Sequence, residues 1–229
     1  VTHPPGAVIF AGGEFLRYSG FMFSLFNTEL PPGCQITMKQ SVSIVENLNE
    51  CLRKMNPESE WAWVQSDDHM WERDALMRLL DHELDVVVPL ILQRSPPFSP
   101  VIFKERTAEG YLPYELSEIG QEPFRVHAAG SAGMLIRRHV LEEIGDPWFS
   151  YAEGQFLNED LALCGKIRQA GYDIWCDPTV CMGHRSTFTI WPVYSEDKGF
   201  EIGTHMGIFK DGTPLQLTIK PRSRQEVAK

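Results

Sequence analysis

Asp67, Asp68 and His69 stand side by side, separated only by Gln65 and Ser66 from the apolar run Trp61-Ala62-Trp63-Val64. Two adjacent carboxylates emerging where a buried strand reaches the surface repel each other, and a divalent cation offsets that repulsion. Oxygen-rich ligands suit Mg²⁺ or Mn²⁺, and such an ion completes its shell with substrate phosphates. That chemistry points to a nucleotide diphosphate. The competing reading is plain: a helical pattern over Ala75–Leu80 follows, and Asp67 or Asp68 fits as its cap.

Three other stretches carry chemistry. Asn158-Glu159-Asp160 opens a helical pattern; acids there complement the helix dipole, or one of them serves as a general base toward a hydroxyl. His184, between Gly183 and Arg185, fits a further metal ligand, a phosphate contact or an ordinary strand-end histidine. Gly130-Ser131-Ala132-Gly133 is small enough to let backbone approach a ligand or two elements pack closely. His127, His139 and His205 join no ligand cluster and read as structural or surface residues.

The elements needed to position these residues follow from periodicity. Ala7–Phe10, Gln35–Met38, Trp61–Gln65 and 85–91 read as short apolar strands, alternating with helical patterns over Phe21–Phe26, Ser41–Met55 and Ala75–Leu80. Such alternation implies a mostly parallel sheet with helices on both faces, which binds ligands at the carboxyl ends of its strands. Ala11-Gly12-Gly13 and Asp67-Asp68 fall at that edge and are expected to share one cleft. Ala11, Gly12, Asp67, Asp68 and Gly133 are therefore the candidate nucleotide contacts. The Pro-punctuated stretch Gln93–Phe124 reads as irregular, an acceptor-side wall or lid. Arg138–Ile144 and Glu159–Ala170 read as helices, the latter closed by Gly171. Ile174–Cys176 and Val180–Met182 read as two short strands, and the basic tail from Lys210 as a peripheral arm.

With 229 residues and 43% hydrophobic content the chain can bury one large core. Its 31 acidic against 21 basic residues give a net charge of −10, the opposite of a protein held to duplex by phosphate contacts. No apolar run reaches the ~20 residues needed to cross a bilayer, and no charged-then-apolar leader opens the sequence. The five cysteines are scattered without a CxxC pair, which fits reduced thiols and a cytoplasmic location.

Taken in order, the runs Trp61–Leu90, Gly130–Phe149, Asn158–Val180 and Gly183–Arg185 resemble the GT-A glycosyltransferases, and among them the family-2-like enzymes of bacteria and phages. The resemblance covers about Trp61 to Pro192. It implies an α/β GT-A fold, Rossmann-like, with a single catalytic domain over 1–209: a nucleotide-sugar-binding half (1–92), an acceptor half (93–209), then a peripheral tail (210–229). It implies a metal-dependent transferase moving a sugar from a nucleotide-diphosphate donor, UDP-sugar foremost, to an acceptor hydroxyl. That acceptor is a glycan, a lipid-linked glycan, a protein or a modified nucleic acid. The family's DxD motif maps to Ser66-Asp67-Asp68, making Asp68 the ligand of Mn²⁺ or Mg²⁺ and Asp67 a ribose or donor-hydroxyl contact. Ser66 stands where an acid is common. The DxH variant maps instead to Asp67 and His69 as ligands. The family's late Glu-Asp pair maps to Glu159-Asp160, with Asp160 the implied base of an inverting reaction, and its C-terminal histidine to His184 as a further ligand. Where relatives often carry Arg-Asn, this chain has Glu46-Asn47, a departure that bears on donor-base recognition.

Rival classes fit less well. A sugar-1-phosphate nucleotidyltransferase needs a small hydroxyl residue and a further glycine before its arginine, but Phe15 and Leu16 precede Arg17 here. A metal hydrolase lacks HExxH and HxH; His69 with Glu72 and His139 with Glu142 have only HxxE spacing. A non-catalytic sugar-nucleotide-binding domain remains if Asp160 serves the helix alone.

Overall fold

The computed structural model describes residues 2–12, 19–95, 97–108, 110–151, 158–185 and 189–205. The first apolar run forms β1 (Ala7–Gly12), buried throughout, followed by α1 (Ser19–Asn27), β2 (Gln35–Gln40) and α2 (Ile44–Arg53). Helix α2 begins where the Ser43 side chain accepts from the Glu46 amide, satisfying one of the free donors of its first turn. Next come β3 (Trp61–Ser66), the two-residue β4 (His69–Met70), α3 (Ala75–Asp81) and β5 (Val86–Ile91). The second half holds β6 (Ile102–Thr107), β7 (Gly110–Pro113), a 3₁₀ turn at Leu116–Glu118, β8 (Phe124–Val126), β9 (Ala128–Ala129) and β10 (Leu135–Arg137). It closes with α4 (Arg138–Ile144), α5 (Glu159–Gln169), β11 (Ile174–Arg185), β12 (Thr189–Ser195) and β13 (Gly199–His205).

The main sheet runs β2-β1-β3-β10-β5-β11-β12-β13. Strands β2, β1, β3, β5 and β11 share one direction, and β10 lies antiparallel between β3 and β5. Successive residues of a strand point to opposite faces, so β1 divides its side chains between two cores. Val8 and Phe10 meet Phe21 and Leu25 of α1 and Leu76 and Leu79 of α3. Ala7, Ile9 and Ala11 meet Leu48 and Leu52 of α2, with Val140 of α4 and Leu163 of α5 in the same cluster. Helices thus cover both faces, as the strand–helix alternation implies. Phe10, Phe21, Trp71 and Trp63 form an edge-to-face chain with centroids 5.1, 5.5 and 5.4 Å apart, which fixes α1 and the segment after β4 against the sheet.

Three sequence expectations change, and one element appears that the sequence reading does not name. Helix α3 starts at Ala75 with Asp74 at its cap position, so neither Asp67 nor Asp68 caps it. The Gln93–Phe124 stretch is not irregular: β6 pairs with β7 and with β9 in a second, three-stranded sheet. Of its described prolines, Pro97, Pro100 and Pro123 sit outside the strands, and Pro113 ends β7, an edge strand where the missing N–H is harmless. The two short strands after α5 are one, β11, bulged between Asp177 and Cys181. That bulge lies beside Pro89 of β5, which has no N–H to donate, and contains Pro178. Asp177 braces it: its Oδ1 accepts from the Thr179 amide at 2.8 Å and hydroxyl at 2.7 Å, and its Oδ2 lies 2.8 Å from His82 Nε2. Finally, the β12–β13 hairpin was not legible as strands. Gly171, at φ +90°, follows α5 as expected, and all five cysteines are free. Gly13 and the tail from Lys210 lie outside the described residues.

Candidate active site

The parallel strands deliver their carboxyl ends to one edge, and a cavity of about 330 Å³ opens there. Ser66 reaches it from β3, Asp68 from the following turn, His69 from β4, Ile91 from the end of β5, Arg94 from just beyond it, and His184 from β11. The β9–β10 turn contributes Gly130, Ser131 and Ala132, and the start of α5 contributes Asn158, Glu159 and Asp160. Asp68, His69, His184, Glu159 and Asp160 are thereby brought to one cleft.

Backbone pairing sets the first cluster. Strand β4 pairs antiparallel with β11, His69 opposite His184, and the Arg185 amide donates to the Asp68 carbonyl at 2.8 Å. The two imidazoles stack at 4.2 Å. Asp68 Oδ1 lies 2.8 Å from His69 Nδ1, while its Oδ2 lies 3.3 Å from His184 Nε2 and 3.2 Å from Arg94 Nη1. Burial alone would raise the Asp68 carboxyl, but the imidazoles of His184 and His69 outweigh it and hold the group well below the usual carboxylate range. His69 is 3% exposed, and burial pushes its imidazole down, toward the neutral form.

These residues fit a divalent cation. His184 Nδ1 lies 2.9 Å from the Leu92 carbonyl, which can only accept, so Nδ1 carries a proton and Nε2 is the nitrogen turned toward Asp68. Nε2 and the Asp68 carboxylate thus converge on one point, where a divalent cation in place of a proton would bind both. A histidine held through its other nitrogen by a carbonyl is also the usual support of a ligating imidazole. Neither ring nitrogen of buried His69 makes an aligned hydrogen bond. Donor atoms of Asp68, His69 and His184 all lie within 4.8 Å of one another.

Across the cavity, Asn158 caps α5 by accepting from the Leu161 amide at 3.1 Å. Asp160 is thus released from capping. Its Oδ1 accepts from Ser131 Oγ at 2.5 Å. Enclosure by protein is the main cause that raises its carboxyl from 3.8 to about 6, with Glu159 adding to the effect.

The remaining candidates sit around this cleft. Asp67 is half-buried in the turn after β3, and Ala11 and Gly12 end β1, where Ala11 pairs with Ser66. None of the three is among the described residues that line the cavity. Asn47 is fully buried and bonded to Ser41 through its Oδ1 at 2.7 Å, and Glu46 pairs with Arg53 at 3.0 Å. Gly133 lies behind the wall, its carbonyl accepting from Trp63 Nε1 at 2.9 Å. It sits at φ +74°, and a Cβ there would lie 2.4 Å from Pro89 Cγ and 2.6 Å from Met182 Sδ. Left-handed backbone and overpacking each cost on the order of 1–3 kcal/mol for alanine. Gly133→Ala should therefore lose about 2–4 kcal/mol in urea unfolding; a loss under about 0.5 kcal/mol would contradict this packing role.

Arg94 and the Ser131 hydroxyl also face this cavity, in contact with Asp68 and Asp160, and the sequence reading gives neither a part in the chemistry. Arg94 is the first cation beyond β5, so the strand-end rule that singled out Asp68 also points to it. Ser131 was noted only for its size, and its bond to Asp160 spans 29 residues of sequence.

No protein-family model matches the chain, and no curated protein sequence matches it significantly. Solved structures do. A197 from STIV superposes with a TM-score of 0.56 at 13% identity, over 90% of this chain and 98% of that one. GalNAc-T7, solved with UDP, GalNAc and Mn²⁺, superposes with a TM-score of 0.55 at 12% identity, over 78% of this chain. The match spans 43% of GalNAc-T7, less than half its length. Among the described residues no helix is long and apolar enough to cross a membrane. The sheet order, the helices on both faces and these superpositions together give the chain a GT-A-like fold.

Proposed function

We propose that this chain is a metal-dependent glycosyltransferase that moves a sugar from a nucleotide-diphosphate donor, foremost a UDP-sugar, to an acceptor hydroxyl. One observation carries the reading: the Asp68–His184 pair, with Nε2 turned to a carboxylate oxygen, and the base-like Asp160 line the same cavity at the strand ends of a GT-A-like fold. GalNAc-T7, of like fold, was solved with UDP and Mn²⁺, which supports the choice of ligand.

Asp68 and His184 would hold Mn²⁺ or Mg²⁺, with His69 beside them, and Asp67, Ala11 and Gly12 would approach the nucleoside. When bound, the ion would offset negative charge on the diphosphate leaving group. Asp160 takes the proton of the acceptor hydroxyl, whose own pKa is too high for it to ionise near neutrality. A carboxyl near 6 remains mostly ionised at pH 7 yet is a stronger base than an exposed one. Ser131 fixes its orientation by donating to Oδ1. Ile91, Val101 and Ala132 supply apolar wall that limits water at the reacting centre. Direct displacement by the acceptor inverts the anomeric carbon. Residues 1–92 would supply the nucleotide-sugar half and residues 93–209 the acceptor half.

Incubation with a panel of nucleotide sugars and Mn²⁺ tests this. Slow release of free nucleoside diphosphate from one donor, abolished by chelator, is expected. Silence across the panel, with pyrophosphate released from UTP and a sugar-1-phosphate, would favour the nucleotidyltransferase class instead.

A further inference from the structure

Arg94 touches the cation cluster, yet the proposed reaction leaves it without a task. Its Nη1 lies 3.2 Å from Asp68 Oδ2, the same oxygen that faces His184 Nε2 at 3.3 Å. A guanidinium hydrogen therefore points at the lone pairs that a shared cation would use. The Arg94 side chain is 60% exposed, so this pairing is a weak one that a competitor displaces readily. Arg94 also lines the cavity with Asp68, His184 and Asp160. Its planar fork matches two phosphate oxygens at once, which a lysine point charge does not.

We propose that Arg94 exchanges partners as the donor binds: it pairs with Asp68 when no cation is present, and swings to the diphosphate when metal and nucleotide enter together. The inference rests on the metal reading of Asp68 and His184. Its consequence is thermodynamic coupling. Arg94 opposes binding of metal alone, by occupying Asp68 and by like charge, and favours binding of metal with nucleotide. Each ligand then strengthens the other by the same factor. The site is thereby biased against a lone divalent ion and toward the complete metal–nucleotide pair.

The test is calorimetric titration of wild type and Arg94→Gln with Mn²⁺ alone, then with UDP at saturating Mn²⁺. An exposed position makes the substitution neutral for folding, which matching thermal melts check. Arg94→Gln should bind Mn²⁺ alone about two- to five-fold more tightly. It should bind UDP with Mn²⁺ about ten-fold or more weakly. Opposite signs are the signature, because a structural defect would weaken both. If wild type binds Mn²⁺ and the variant binds it no more tightly, or UDP affinity is unchanged, the exchange is wrong while the metal reading stands. If wild type binds no Mn²⁺ with or without UDP, the metal reading itself fails and takes the exchange with it.

Discussion

Asp160→Asn is expected to lower turnover by about 10²–10⁴-fold while leaving affinity for UDP with Mn²⁺ near wild type, because a positioned base acts on the acceptor and not on the donor. The same substitution should stabilise the fold at neutral pH. The Asp160 carboxyl is raised from 3.8 to about 6 by burial, so the folded state disfavours its charge. Below about pH 3.8 folded and unfolded chains both carry the proton, and no penalty exists. Between the two values only the unfolded chain ionises, and stability falls. Above about pH 6 the penalty is complete, on the order of 3 kcal/mol for a shift of about two units. Asparagine keeps an oxygen for Ser131 and removes the charge. Thermal melts should thus show the variant more stable than wild type at pH 8 and similar near pH 4. In wild type, kcat at saturating Mn²⁺ should rise with pH through about 6 and then level, as the base loses its proton. Near-normal turnover, or a pH 8 melt below wild type, would remove Asp160 as the base.

Asp68→Ala should do the opposite to stability and act on a different step. The fold holds the Asp68 carboxylate well below its usual range, so its charge is favoured in the folded state and is lost on truncation. Removing it leaves His184 Nε2 and Arg94 facing a void, a loss of about 1–3 kcal/mol. The larger effect falls on ligands: a site with the imidazoles alone has no anionic oxygen for a hard cation. Mn²⁺-dependent affinity for UDP should drop by at least about 10²-fold. Unchanged calorimetric affinity would exclude Asp68 from the site. Two carboxylates lining one cavity are therefore expected to shift stability in opposite directions, a contrast that a generic acidic cleft would not give.

How much of this was legible in sequence depended on distance along the chain. Strands β1, β3 and β5 announced themselves because a strand buried on both faces is a near-continuous apolar run, and the carboxyl end of β3 pointed to Asp68 without tertiary knowledge. Asp160 was legible as an acid in a helix first turn. That Asn158 does the capping and so frees Asp160 needed the hydrogen bonds. That Asp68, and not Asp67, lies beside His69 and His184 in the cavity needed β4, a two-residue pairing with β11 too short to leave a pattern. Hairpin β6–β7 hid behind prolines that mark a strand end as readily as a loop. The tautomer of His184 depends on Leu92, 92 residues away, and no local signal encodes it.

In the proposed reaction a divalent ion would be held by Asp68 and His184 and would join the chain to a nucleoside diphosphate. Anomalous diffraction from a crystal grown with Mn²⁺ and UDP tests it most directly. A peak is expected within about 2.5 Å of both an Asp68 carboxylate oxygen and His184 Nε2, in contact with the diphosphate. UDP bound in the cleft with no peak at that pair, or with manganese seated instead on Glu159 and Asp160, would contradict it.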